Sequence, residues 1–75
     1  MGDYDDLRAT PAEERETLAE VRKRHAGNVK EVRVLIYVYR ESKNEIEIKR
    51  LEPLLAQELR TLATIDERLA ALAKE

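Results

Sequence analysis

The chain has no cysteine, no phenylalanine and no tryptophan, and only one histidine, two glycines and two prolines in 75 residues. Without cysteine there are no disulfides and no thiolate metal sites, and a single histidine leaves no conventional zinc site. Gly2 and Gly27 cannot build a phosphate cradle, and no GxGxxG, Walker, HExxH, CxxC or GxSxG pattern occurs. No apolar run approaches the roughly 20 residues of a membrane span. The opening MGDYDDLRAT lacks the basic start and apolar centre of a secretory signal, so the expected location is cytoplasmic. Neither sign of charge dominates: 14 Lys and Arg stand against 16 Asp and Glu, with pI about 5.5. Bulk electrostatics therefore recruit neither nucleic acid nor an anionic membrane.

What is present is 43% apolar and 40% charged, enough for one core built from Leu, Ile, Val and Ala. A scaffold this small needs very regular packing or oligomerisation once disulfides and metals are excluded. Residues 1–9 read as a lead-in. Its Asp3, Asp5 and Asp6 lack the glycine and distal glutamate of a calcium loop.

TPAEE at 10–14 is a helix start: Thr10 caps, Pro11 takes the first helical position and Glu13 completes the capping box. The expected helix spans 10–26, with Lys23, Arg24 and His25 in its last turn and Gly27 as the left-handed stop. Glu14, Leu18, Val21 and His25 form its thin inward stripe. From Val29 the period changes to two. Val32, Val34, Ile36 and Val38 share one face of a strand at 29–40, and Leu35, Tyr37 and Tyr39 share the other. EIEIKRLE returns as a strand at 45–51. A loop Ser42-Lys43-Asn44, with Asn44 left-handed, sets Ile48 opposite Val38 and Leu51 opposite Leu35.

Pro53 opens the last expected helix, 53–74. Leu51, Leu55, Leu62, Ile65, Leu69 and Leu72 follow a 3.5-residue seam broken once, at Glu58. Leu54 and Leu59 widen the stripe, and Ala56, Ala63 and Ala70 form a small-residue strip beside it. The apolar arc covers roughly 200°, against the roughly 100° a one-sided surface helix needs.

The fold class expected is α+β, a two-layer helix–β-hairpin–helix, with the sheet extended or the helices paired in an oligomer. An isolated two-stranded hairpin is marginal. The uncovered sheet face and the over-wide last helix therefore point to a partner, and a second copy with two-fold symmetry is the simplest. The expected interface comprises Val32, Val34, Leu35, Tyr37, Tyr39, Leu55, Leu59, Leu62, Ile65, Leu69 and Leu72.

Candidate chemistry is sparse. Glu58 and Asp66, the acids nearest the apolar arc, suit a carboxylate pair only across a two-fold axis. The structural alternative is that they fix register by pairing with Arg60, Arg68, Arg24 or Lys23. His25 lacks an orienting acid and a pocket, and fits a helix-end residue bonding free carbonyls. Tyr37 and Tyr39 with Arg33, Arg40, Lys49 and Arg50 suggest a basic sheet with aromatic stackers for single-stranded nucleic acid. Interleaved Glu31, Glu41, Glu45 and Glu47 argue against it.

LRTLATIDERLAALAKE is similar to the first helix of the AroQ chorismate mutases in its L-R…I-D…L…L spacing, over residues 59–75. The strands expected at 29–51 do not fit that all-helical family, whose cationic active site is not found here. The helix–hairpin–helix order is similar to that of a β-type prefoldin subunit, whose arms are far longer. The wider resemblance is to computationally designed proteins. TPAEERETLAEV and DERLAALAKE resemble designed helices in capping box, charge order and Ala/Leu/Glu/Arg filling, and EVRVLIYVYRESKNEIEIKRLE resembles a designed hairpin. That resemblance implies a non-enzymatic self-assembly module forming a symmetric homo-oligomer, a dimer first, with no cofactor and no small-molecule substrate. The alternative is a natural regulator that binds a protein partner through the same surfaces.

Overall fold

The structure, a computed structural model, describes residues 9–74. It is a helical hairpin: α1 spans Pro11–Glu41 and α2 spans Glu45–Ala73. The expected α+β architecture is corrected, because no strand or sheet occurs among the described residues. The alpha/beta and beta-hairpin descriptions go with it. Residues 1–8 of the expected lead-in 1–9, with its three aspartates, lie outside the described residues.

α1 starts as its sequence dictates. The Thr10 hydroxyl accepts from the Glu13 N–H at 3.2 Å and the Glu13 carboxylate returns a bond to Thr10, with Pro11 in the first turn. It does not stop at Gly27. That glycine has no positive φ, and a Cβ there would meet open space, so the helix passes through it at a cost of about 1 kcal/mol relative to alanine. Lys23, Arg24 and His25 are consequently mid-helix residues.

The segment expected as a strand, 29–40, is the second half of α1 because the stripe begun by Leu18, Val21 and His25 continues into it. Asn28, Val32, Ile36 and Tyr39 extend the three-four spacing, and all are at least partly covered. From Val34 to Tyr39 every residue is apolar or aromatic, so the run satisfies period two and period 3.5 together and decides nothing by itself. The helical penalty of each Val, Ile or Tyr is below about 0.7 kcal/mol. Covering a large apolar side chain in the seam returns about 1.5–3 kcal/mol.

EIEIKRLE fails as a strand for the same reason. Ile48 and Leu51 enter a seam that runs Leu55, Glu58, Leu62, Ile65, Leu69 and Leu72 in alternating steps of three and four. Ile46, its period-two companion, is left 75% exposed. Pro53, expected to start the helix, sits inside it on an exposed surface.

A tight turn joins the helices. The Asn44 N–H bonds the Tyr39 carbonyl at 2.8 Å and the Lys43 N–H bonds Arg40 at 3.1 Å, the paired bonds of a Schellman stop. The left-handed residue is Lys43, with φ 57°, in place of the expected Asn44. Asn44 instead caps α2, its side chain accepting from the Glu47 N–H at 3.4 Å.

The two helices pack antiparallel along this seam and bury little. Only Val29, Ile65 and Leu72 are buried among the described residues, and of these Leu72 alone is fully so. The radius of gyration is 17.2 Å, where a compact domain of this length has about 11 Å. The hairpin is a thin rod with one core line.

Candidate functional site

Three polar residues interrupt that line midway. His25 and Asn28 on α1 face Glu58 on α2. His25 Nδ1 lies 2.5 Å from Glu58 Oε2, and the Asn28 amide donates to Glu58 Oε1 at 3.5 Å. The His25 and Glu58 side chains are 26% and 24% exposed, so this polar layer is only partly wet. His25 is therefore not a helix-end residue, and Glu58 pairs with His25 and Asn28 rather than with an arginine or lysine.

Toward the chain ends the helices are tied by ion pairs. Arg22 donates to Asp66 at 2.5 Å and Arg68 to Glu14 at 2.5 and 2.9 Å. The guanidinium of Arg22 lowers the Asp66 carboxyl below its ordinary value, and Arg68 does the same to Glu14, in each case chiefly through the hydrogen bond. Asp66 in turn raises Arg22. Within the hairpin Glu58 and Asp66 thus have separate partners.

On the turn side of the polar layer the surface changes character. Val34, Leu35, Tyr37 and Val38 on α1, with Ile46, Leu54 and Leu59 on α2, are the large apolar side chains that stand exposed among the described residues. At about 100° per residue, positions 32–39 sweep the whole circumference of α1, and Arg33 is the only charged residue among them. A helix that is apolar all round belongs inside a larger assembly.

The residues expected at an interface divide between two roles. Ile65 and Leu72 are buried, and Val32, Tyr39, Leu55, Leu62 and Leu69 are half-buried along the line where α1 meets α2. Val34, Leu35, Tyr37 and Leu59 are exposed. Leu54, which widens the expected stripe of the last helix, joins them, as do Val38 and Ile46, which the expected strands place on a sheet face. The basic sheet with aromatic stackers is corrected as well. With no sheet, Tyr37 and Tyr39 fall on different sides of α1, one exposed and one half-buried.

Little else offers chemistry. An open cleft of about 480 Å³ beside the turn is lined by Arg40, Lys43, Glu45, Ile48, Lys49 and Glu52, a surface of mixed charge. No cluster of three or more potential metal ligands occurs among the described residues, and no helix there is long and apolar enough to cross a membrane. No family model, curated protein or solved structure matches the chain.

Proposed function

We propose that the chain is a non-enzymatic self-assembly module whose hairpins associate as a symmetric homodimer through the apolar belt near the turn. The observation that carries the reading is the circumference of α1 at 32–39, where four large apolar side chains remain exposed after α2 has taken its share. A second copy fits better than a partner of one charge sign. Residues 30–54 carry six cations (Lys30, Arg33, Arg40, Lys43, Lys49, Arg50) and five anions (Glu31, Glu41, Glu45, Glu47, Glu52), a rim that is close to neutral and complementary to itself. Two hairpins also make a four-helix bundle, the arrangement in which wide apolar arcs are covered on both flanks. The resemblance to designed proteins fits the helix ends and the charged filling. It does not fit the belt, which a designed helix surface would avoid.

The test is sedimentation equilibrium of the parent and of Tyr37→Lys and Val38→Lys, with circular dichroism to verify helicity. Both positions point away from the α1–α2 seam, so the variants are expected to stay helical and become monomeric. Val32 and Leu62 are unsuitable because they hold the hairpin itself together. A parent that is monomeric at high micromolar concentration overturns the reading. If parent and both variants share one oligomeric state, the belt is not the contact.

A further inference from the structure

Given the self-association proposed above, the distribution of charge around the rod selects how two copies meet. α1 carries seven Arg and Lys residues, and six of them lie on one flank: Arg15, Arg22, Lys23, Lys30, Arg33 and Arg40. Their spacings of seven, one, seven, three and seven keep them within a sector roughly 100° wide beside the seam. Of the acids in α1 only Glu41 joins them, at the edge. Glu13, Glu20 and Glu31 lie on the opposite flank, with Arg24 the one cation among them.

α2 is sorted less strictly, with Lys49 on its acidic side and Glu47 on its basic side. Glu45, Glu52 and Asp66 share one heptad position with Leu59, on one side of the seam. Arg50 and Arg68, eighteen residues or five helical turns apart, lie on the other. The Arg22–Asp66 bond establishes which flanks belong together: the cationic flank of α1 and the anionic flank of α2 form one broad face of the rod. On the other broad face α1 is anionic, and α2 carries Arg50 and Arg68 beside one acid, Glu47, which Arg50 bonds at 3.1 Å.

Two hairpins can stack face to face about a two-fold axis in two ways. An axis across the helices lays α1 on the partner's α1, which places like charges together on either face. An axis parallel to the helices lays α1 on the partner's α2, which places opposite charges together on either face. In the parallel case there is no axial offset, so groups meet at their own heights. Arg33 and Glu52 lie ten and nine residues from Lys43, and Arg40 and Glu45 lie three and two. Among the described residues none of these four makes an ion pair within its own hairpin. Arg33 is thereby level with the partner's Glu52 and Arg40 with the partner's Glu45.

We propose that two copies stack about a two-fold axis parallel to the helices, α1 of each on α2 of the other and both turns at the same end, as an antiparallel four-helix bundle. The apolar belt supplies the attraction, and the sorted charges reject the alternative arrangement, in which the same belt would be covered with like charges facing.

The absence of cysteine makes the test direct. Glu16→Cys and Lys43→Cys, both at exposed positions of α1 and the turn, are spin-labelled separately and the inter-copy distance measured for each by pulsed electron resonance, with circular dichroism and sedimentation on the labelled samples. With both turns at the same end, both label pairs are expected within about 30 Å, two helix diameters plus the label arms. The two sites are 27 residues, about 40 Å, apart along the rod. An axis across the helices, wherever it crosses, makes the two separations add up to about 80 Å, so at least one is about 40 Å or more. A dimer with either separation that long overturns the arrangement and leaves the self-association standing. A monomeric labelled chain together with a monomeric parent overturns both.

Discussion

Replacing Glu58 by alanine tests what the polar layer contributes. The change removes both cross-helix bonds and leaves His25 and Asn28 facing a gap in the seam. A hydrogen bond to a charged group contributes about 1.5–3 kcal/mol. Because the His25 and Glu58 side chains are 26% and 24% exposed, water replaces part of the lost partner and the lower end, about 1.5 kcal/mol, applies. In a domain of this size 1 kcal/mol shifts Tm by about 4–8 °C, so the expected fall is about 6–12 °C. The triple replacement His25→Leu, Asn28→Leu, Glu58→Leu is expected to do the opposite, raising stability by about 1 kcal/mol, the low end of what replacing a fully buried ionic group by well-packed hydrophobes gives, because this layer is partly exposed. Its cost is alignment, since His25 and Asn28 meet Glu58 in one register only, whereas leucines accept several. Thermal unfolding by circular dichroism at one protein concentration measures the first effect. The number of amide resonances in a heteronuclear spectrum measures the second, one set for the parent and several for the triple variant. The reasoning is refuted if Glu58→Ala leaves Tm unchanged, or if the triple variant is both less stable and uniquely aligned.

Three further outcomes are expected. Ile65→Ala, at a buried seam position, should cost about 2–4 kcal/mol in chemical denaturation, and a cost under about 1 kcal/mol would show that the seam is not the core. Lys43→Gly should add about 1 kcal/mol by relieving the left-handed backbone of the turn, read as a higher denaturation midpoint with an unchanged slope. Acid should loosen the chain-end half first. The Asp66 and Glu14 carboxyls are lowered from ordinary values of 3.8 and 4.5 by Arg22 and Arg68. The stability they contribute is therefore present above those values and lost as pH falls below them. A Tm that drops between pH 6 and pH 3 in the parent, and less in Asp66→Asn with Glu14→Gln, is the expected pattern; equal drops would assign the acid sensitivity elsewhere.

How much was legible in the sequence depends on where local signals and tertiary context agree. The start of α1 was, because Thr10, Pro11 and Glu13 form a box that needs nothing outside itself. The seam of α2 and its interruption at Glu58 were, because strict three-four spacing has one structural meaning. VRVLIYVYR misled because an unbroken apolar run fits any period, and its β-branched and aromatic residues tilt propensity toward strand. The decisive cue was upstream: Leu18, Val21 and His25 set a phase that Asn28 and Val32 continue without slipping. Gly27 hid that continuity by resembling a stop. Pro53 resembled a start, although Ile48 and Leu51 before it were already in phase with Leu55 after it. The partners of His25 and of Asp66 lay beyond reach, because a pairing across helices depends on a register that the turn alone determines.

The three-residue turn also sets an order of events. It joins the most apolar stretch of the chain, 34–39, to the start of α2, so Tyr39 and Ile48 find each other by closing a very short loop, whereas Glu14 and Arg68 are 54 residues apart. The entropy of closure rises with the logarithm of loop length, and contacts local in sequence form fastest. The hairpin is accordingly expected to zip from the turn outward and to fray from the chain ends inward. Amide exchange should be slowest along the seam between Val29 and Leu62 and fastest beside Glu14 and Arg68, and the reverse gradient would mean that the ion-paired end nucleates instead. The stretch that closes first is also the one that carries the exposed belt. Newly made chains would then display their sticky surface before their charged ends are secured, and encounter between copies would compete with completion of each hairpin.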